Sequence, residues 1–300
     1  MTVVQRCLAR SYVPVMLIGG NGFAIWMVAQ GGSPIWLILV GVIAVGISFA
    51  AEQLLPFSKE WNHWRGDARR DVLHALVNKT LSEVSVWSVP VLAAFVPWSG
   101  IWPSDWPLLA QWLIALLVAD CGITLVHCWS HHSRILWRLH AVHHSVERMY
   151  GLNGLMKHPL HQAIETLAGV SPLLLAGMPQ KIAMLLAFSV TIQLLLQHSN
   201  VDVDLGILGR WLALGGAHRW HHLADPVRGN VNFGLFTTIW DRLLGTAVLD
   251  SCADGAAVKL GLAGHPNYPT AYLAQLIEPF RPTARLGASS PSGQAREGIG

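Results

Sequence analysis

The sequence predicts an all-α integral membrane protein, and three observations lead to this fold class. Hydrophobic residues make up 52% of the 300 positions and charged residues only 12%, whereas soluble domains usually carry about 25% charged residues. The mean hydropathy is positive, at +0.42. Fourteen tryptophans against four tyrosines are typical of anchoring at a membrane interface. We therefore expect the chain to fold as a helical bundle in a bilayer.

Composition also argues against several classes of partner and site. The net charge of +3 is small, and the basic residues lie in loops, so no nucleic-acid-binding surface is expected. No C-x-x-C motif is present, which argues against a disulfide framework and against a thiolate metal site. The sequence also lacks a G-x-G-x-x-G dinucleotide motif. The four cysteines are scattered, at Cys7, Cys121, Cys128 and Cys252.

The first two membrane spans are expected near the N-terminus. Arg6 and Arg10 precede an apolar run, as in a signal peptide, but no clear cleavage site follows. We therefore predict a signal anchor or first span at about 12–30. The turn at 31–34 leads into a second span at about 34–55.

The next two spans bring the chain back to the side of the N-terminus. The loop at 56–74 is the most basic short loop, which predicts a cytoplasmic location. A third span is expected at 76–98 and a fourth at 108–129, joined by an outward-facing linker without basic residues. His63 and His74, in the basic loop, are expected to be ordinary interfacial residues. The basic side chains of that loop are Lys59, Arg65, Arg69 and Arg70.

Three groups of histidines follow the fourth span and predict a metal centre at the cytoplasmic mouth of the bundle. Residues three or four apart share one face of a helix, and imidazole is a common metal ligand. Eight histidines exceed the four ligands of one tetrahedral zinc site, so we expect two metal ions. On a helix, His132 points about 100° away from its neighbour His131, so whether it binds a metal is undecided from the sequence. The groups are His127 and His131, then His140, His143 and His144, and finally His218, His221 and His222.

The rest of the chain connects and supports these groups. An apolar hairpin, with arms at 163–178 and 182–197, is short for two full spans and returns His198 to the side of the histidines. We divide the chain into N-terminal transmembrane helices (1–114), a histidine-rich di-metal catalytic domain (115–250) and a C-terminal cytosolic tail (251–300). The tail is expected to be disordered from about residue 282, because it is rich in Gly, Ser and Pro.

Asp120 is the one acidic residue within the predicted fourth span. An unpaired acid in a membrane helix is costly, so it is a functional candidate. It would either hold the free N–H of a ligand imidazole or serve helix packing.

Six motifs in this region resemble those of the fatty acid hydroxylase / sterol desaturase superfamily, whose members are membrane di-iron enzymes. The resemblance covers about 115–247. Two positions depart from the family pattern: Cys128, where arginine is usual, and His161, where an acid is common. The motifs are A-D-C-G-I-T-L-V-H-C-W-S-H, L-W-R-L-H-A-V-H-H-S, K-H-P-L-H, Q-H-S-N, A-H-R-W-H-H and N-F-G-L-F-T-T-I-W-D-R-L-L-G-T.

The resemblance implies a helical bundle of four or more spans with a cytosolic histidine-rich cap that holds two irons. It adds His198 to the eight histidines already named as metal ligands and catalytic residues. His158 would be a ligand or a residue that supports one. Asp120 and Asp241 are further candidates for support behind the ligands, and Asp241 and Asn153 are expected to be structural rather than catalytic.

The resemblance also implies the chemistry. Imidazole binds iron, zinc and copper alike, so the choice of iron rests on the family, and zinc is possible in isolated protein. With O2 as co-substrate, the enzyme would hydroxylate or desaturate a lipid, sterol or carotenoid-like substrate at an unactivated C–H bond. Electrons would come from a separate donor, a b-type cytochrome or a ferredoxin with its reductase. The membrane would be a bacterial inner membrane or an ER-type membrane.

A non-redox alternative is a zinc-dependent membrane hydrolase or a metal-binding transport protein. The absence of an H-E-x-x-H motif argues against a hydrolase. A transporter would place its histidines along the spans rather than at one mouth. The sequence does not decide between hydroxylation and desaturation, nor does it name the substrate.

Overall fold

The computed structural model describes residues 2–95, 100–203, 205–225, 227–250, 259–265 and 267–282. Within these ranges the chain is helical and contains no β-strand, only three isolated β-bridges. The all-α fold class is therefore confirmed.

Within the described part of the chain, four helices are long and apolar enough to cross a membrane. The first is built from α1 (Val3–Pro14), a π-helical segment (Val15–Gly20) and α2 (Asn21–Ala29), which run on without a break. Pro14 cannot donate a helical hydrogen bond, and the π-helical segment begins directly after it. The four spans are Val3–Ala29, α3 (Ile35–Leu54), α5 (Leu108–His132) and α8 (Gln180–His198).

The set of spans differs from the predicted one at two positions. The predicted third span lies in α4 (Ala68–Ala93), which is 26 residues long but is not among the four apolar helices. Its first half carries charged side chains, including Arg69 and Lys79. The second arm of the hairpin is instead the fourth spanning helix, because α8 extends to 19 residues. Residues 96–98 of the predicted span lie outside the described residues.

Helix α8 is the centre of the bundle, and most of its residues are buried inside the protein. Helix α3, by contrast, exposes Ile38, Val42 and Ile43, as expected for a face in contact with lipid. Helices α5 and α7 (Pro159–Leu175) cross closely at Gly122 and Gly169. A Cβ atom on Gly122 would overlap the carbonyl group of Ala168. Such close approach through small residues is the usual packing mode of membrane helices.

The cap at one end of the bundle is made of short helices and loops. The basic loop packs against it, because Arg148 donates two hydrogen bonds of 2.7 Å to the carboxylate of Asp67. The described helices of the cap are α6 (Arg134–His144), α9 (Gly215–His221), α10 (Ile239–Leu244) and α11 (Tyr272–Ile277).

The C-terminal helix α11 is tied to α4 through a buried histidine. His74 Nδ1 lies 3.0 Å from the carbonyl oxygen of Lys157, and its Nε2 lies 2.9 Å from Oε1 of Gln275. The prediction that His74 is an ordinary interfacial residue is therefore wrong, whereas His63 is exposed. The tail that is predicted to be disordered from about residue 282 lies, apart from residue 282 itself, outside the described residues.

Candidate metal centre

Nine histidines from the cap and from the adjoining ends of α5 and α8 converge on two adjacent clusters. Within each cluster one ring nitrogen of every member lies within 4.8 Å of the others. All nine histidines singled out from the sequence fall into one cluster or the other, and eight of them are buried, with His131 half-buried. The five-histidine cluster contains His127, His131, His140, His144 and His221, and the four-histidine cluster contains His143, His198, His218 and His222.

Two helices contribute to both clusters. Helix α6 directs its i and i+4 histidines into the five-histidine cluster and its i+3 histidine, His143, into the four-histidine cluster. Helix α9 and the residue that follows it have the opposite distribution: His218 and His222 lie in the four-histidine cluster, and only His221 lies in the five-histidine cluster. Each H-x-x-H-H motif therefore serves two binding positions at once.

Backbone carbonyl groups fix two rings of the five-histidine cluster. Nδ1 of His127 lies 2.8 Å from the carbonyl oxygen of Phe233, and Nδ1 of His221 lies 2.9 Å from that of Val231. A carbonyl oxygen only accepts, so both Nδ1 atoms carry the hydrogen. Each neutral ring then has its lone pair on Nε2, and these two Nε2 atoms are only 2.9 Å apart.

The four-histidine cluster repeats this arrangement. Nδ1 of His143 donates to the carbonyl oxygen of Met156, and Nδ1 of His198 donates to that of Leu194, both at 3.1 Å. The two Nε2 atoms of these rings face each other at 3.2 Å. Two lone pairs at this distance repel unless a positive centre lies between them.

A proton is excluded as that centre by burial. Burial lowers the pKa of His221 to about 3, and burial together with neighbouring imidazoles lowers the pKa of His143, His144 and His222 well below 6.5. The rings are therefore neutral at physiological pH, which is the form that binds metals.

The spacing of the nitrogens suits metal ions. Metal–imidazole bonds of ~2.1 Å place two ligands at right angles about 3.0 Å apart, close to the observed contacts. Nδ1 of His140, His218 and His222 and Nε2 of His131 are buried, with no hydrogen-bond partner among the described residues. Nine neutral imidazoles in two clusters fit a pair of metal ions, and no carboxylate belongs to either of these two clusters.

Two buried carboxylates fix the loop whose carbonyl group orients His127. Asp241 accepts hydrogen bonds from the backbone N–H groups of Phe233 and Gly234, at 2.7 and 2.8 Å. Asp120 accepts from the next three N–H groups, those of Leu235, Phe236 and Thr237, at 2.8–3.1 Å. Together they bind five consecutive backbone donors.

The expectation that Asp120 itself holds a ligand imidazole is corrected by this geometry. Its two oxygens are hydrogen-bonded to residues 235–237, and this loop connects it to His127 of the five-histidine cluster. Asp241 has the same indirect relation to the centre. Burial raises the pKa of Asp241, although its hydrogen bonds to Thr246 and the loop oppose that shift.

His158 and His132 lie outside both clusters. Nδ1 of His158 accepts from the backbone N–H of Leu160 and so caps α7, while its Nε2 lies 3.2 Å from the carbonyl oxygen of Leu276. His132 is exposed, and its Nδ1 lies 2.8 Å from the carbonyl oxygen of Cys128. Neither residue belongs to a group that could hold a metal among the described residues.

His161 and Glu165 adjoin the five-histidine cluster, and sequence reasoning assigned them no role. The His161 ring packs on His140 with centroids 4.5 Å apart, and its Nε2 lies 2.9 Å from the Ser130 hydroxyl. Glu165 is paired with Lys157 at 2.6 Å. The signal that could have found this group is the i, i+4 spacing of His161 and Glu165 directly after the K-H-P-L motif.

Comparison with known proteins gives one family and several relatives. The family model for fatty acid hydroxylase matches residues 112–246. The ornithine lipid hydroxylase OlsE of Rhizobium tropici is 30% identical over 276 residues, which cover 89% of this chain and 82% of the relative. No solved structure matches the chain.

Two further relatives match a smaller part of the chain. The alkylglycerol monooxygenase of Danio rerio is 30% identical over 60% of this chain and 40% of its own length. Methylsterol monooxygenase 1 of Rattus norvegicus is 28% identical over 53% of this chain and 56% of its own length. The match therefore spans less than half of the first of these relatives and little more than half of the second.

Proposed function

The chain belongs to the fatty acid hydroxylase family, and from that membership we propose that it is an O2-dependent di-iron enzyme that hydroxylates a membrane lipid. The three relatives cited above are named as hydroxylases or monooxygenases of lipids and sterols, which supports an oxidoreductase. We further propose that the metal is a pair of irons and that the substrate is a lipid of the class described below.

The observation that carries the proposal is the pairing of Nε2 lone pairs at 2.9 and 3.2 Å. Such pairs are stable only around cations, and one of these two pairs lies in each cluster. The five-histidine cluster would hold one iron and the four-histidine cluster the other. Bound iron would supply the O2 activation needed to oxidise an unactivated C–H bond.

The protein's own contribution is to orient ligands and to exclude water. The carbonyl groups of Phe233, Val231, Met156 and Leu194 set the tautomer and direction of four rings. Burial keeps the centre dry, which protects an oxidising reaction from side reactions with solvent.

We propose an amino-acid-containing lipid as the substrate to test first. A relative whose match covers 89% of this chain is named an ornithine lipid hydroxylase. Hydroxylation is favoured over desaturation because the names of the relatives cited here specify hydroxylases and monooxygenases.

A decisive experiment combines metal analysis with labelled oxygen. Purified protein loaded with iron is given ornithine lipid, an electron donor and 18O2. We expect two irons per chain and a product that has gained one labelled oxygen atom. One metal or none would contradict the two-iron centre. A zinc-loaded protein that cleaves lipid without O2 would support the hydrolase alternative.

The cap is proposed to face the cytoplasm and to accept electrons from a b-type cytochrome or a ferredoxin with its reductase. The basic loop supports this side, and it is bound to the cap through Asp67 and Arg148. Reporter fusions at positions 65, 103 and 250 test the topology. An external signal at 65 or 250 would contradict it.

A further inference from the structure

An elongated pocket lies inside the bundle, between α4, α5, α7 and α8. The space amounts to about 710 Å³ when its open side is included. Apolar side chains from all four helices line most of it, and the charged members of its lining are Lys157 and Glu165. We call this space the intramembrane slot; along α8 it extends from Ala183 to Leu194, and Met178 lines it at the far end.

The slot has the length of a hydrocarbon chain. Ala183 and Leu194 are eleven positions apart on α8, which corresponds to roughly 16 Å at 1.5 Å per residue. This is about half of the ~30 Å hydrocarbon core of a bilayer. Small side chains, at Ala183 and Ala187, leave room along one wall.

One end of the slot adjoins the metal centre through two separate contacts. Leu194, at that end, provides the carbonyl oxygen that accepts from Nδ1 of His198. Glu165 lies 3.7 Å from Nδ1 of His161, whose ring packs on His140. Met178 lines the opposite end of the slot, far from the histidine clusters.

We propose that the intramembrane slot binds a single acyl chain of the lipid substrate, with the chain terminus at Met178 and the polar end at Lys157 and Glu165. This inference rests on the proposed function. The direction follows from burial cost, because a polar ester or amide needs a hydrogen-bonding partner, and the charged side chains of the slot lie at the end near the centre.

Two consequences distinguish this arrangement from loose contact with bulk lipid. The carbon atoms that approach the centre belong to the polar end of the lipid, so oxidation occurs at or near the headgroup and not at the chain terminus. The distance to Met178 limits the chain length that fits, so substitutions along α8 change chain-length selectivity.

The test uses phospholipids with a photoreactive diazirine at the end of one acyl chain, either palmitoyl or decanoyl, in vesicles that contain the purified protein. We expect the palmitoyl probe to label Met178 and its neighbours. In Ala187→Phe, which fills the middle of the slot, this labelling should fall roughly tenfold, since overpacking an occupied space costs affinity. The decanoyl probe should be much less affected.

Control variants separate occupancy from misfolding. Ala50→Phe lies on the exposed face of α3 and should label as the unmodified protein does. Ala187→Leu fills less of the slot and should give an intermediate loss. Metal content measured for each variant reports whether the cap is intact.

The proposal is overturned if Ala187→Phe labels as strongly as the unmodified protein. It is also overturned if label appears only on lipid-facing residues such as Val42 and Ile43, or if a photoreactive sterol labels the slot and the acyl probe does not. Labelling needs neither O2 nor an electron donor. Slot labelling without any oxygen-dependent product would therefore refute the proposed function alone, and hydroxylation without slot labelling would refute the slot alone.

Discussion

The two histidine clusters bind the same kind of ligand but obtain their geometry from different parts of the chain. In the five-histidine cluster the carbonyl group that orients His127 lies 106 residues away, in the loop held by Asp120 and Asp241. In the four-histidine cluster the orienting carbonyl groups lie 13 residues from His143 and 4 residues from His198. The carbonyl group that orients His221 lies only ten residues away, so the five-histidine cluster depends on long-range folding through His127, whereas the four-histidine cluster depends mainly on local structure.

This difference predicts that the clusters fail in different ways. Changes in the loop at 231–237 should weaken the five-histidine cluster and spare the other. Changes around α8 and the turn at 151–155 should have the opposite selectivity. Measuring metal content per chain together with activity distinguishes the two outcomes.

The largest effect is expected from removing one histidine ligand from either cluster. His221→Ala and His143→Ala should each abolish activity, a loss greater than the ~10–100-fold typical of a residue that only supports a ligand. Each variant should also lose about one of two metal ions. Full product formation by either variant, at matched protein levels in the membrane, would mean that the site is built from other histidines.

The second-largest effect is expected from Asp241, which holds the distant loop that orients His127. Asp241→Asn replaces one acceptor oxygen with an amide N–H, which leaves the backbone donor of Phe233 or Gly234 facing another donor. We expect a loss of roughly 10–100-fold in activity or in metal affinity at the five-histidine cluster. Asp202→Asn, at an exposed position, is the matched control. Equal loss of metal from both clusters would remove the distinction drawn between them.

A smaller effect is expected from a substitution next to the four-histidine cluster. A Cβ atom on Gly154 would lie 2.7 Å from the carbonyl oxygen of Leu194 and 2.9 Å from Nδ1 of His198. Gly154→Ala should therefore cost about 1–3 kcal/mol of stability through overpacking and weaken metal binding at the four-histidine cluster. Thermal unfolding and metal titration measure both effects.

Gly216→Ala provides the comparison for that variant, because nothing lies within 4 Å of the added atom. It sits in helix α9 and should leave stability unchanged or slightly increased, since alanine favours helix over glycine. If the two alanine variants behave alike, the close approach at Gly154 has no energetic importance.

The smallest effects are expected at histidines outside both clusters. His132→Ala, His63→Ala and His265→Ala should retain activity and both metal ions. His132 and His63 are exposed, and none of the three belongs to a group that could hold a metal among the described residues. Loss of metal from His132→Ala would extend the five-histidine cluster to this position.

The nine clustered histidines could be found from the sequence because helical spacing is a local property. Eight of them share faces at i, i+3 and i+4 intervals, and His198 came from the family resemblance. Their division into five and four was not predictable, because it depends on how α6 and α9 face each other across the cap.

The missed features depend on contacts between distant residues. Asp120 was recognised as unusual, but its partners lie more than a hundred residues away, so their identity could not be inferred. Helix α8 was judged short for a full span, although its burial at the centre of the bundle makes it the core helix. Helix α4 is less apolar than the four candidate spans because its first turns carry charged side chains, which precede the predicted span at 76–98.

The division of α6 and α9 between the clusters makes the two metal positions mechanically dependent. An ion bound in one cluster fixes the rotation and axial position of both helices, and those same helices carry ligands for the second ion. The ordering cost is then paid with the first ion, so the second binds more tightly than it would alone. Metal loading of the unmodified protein should therefore show moderate positive cooperativity, while each cluster still binds its own ion when the other has been destroyed.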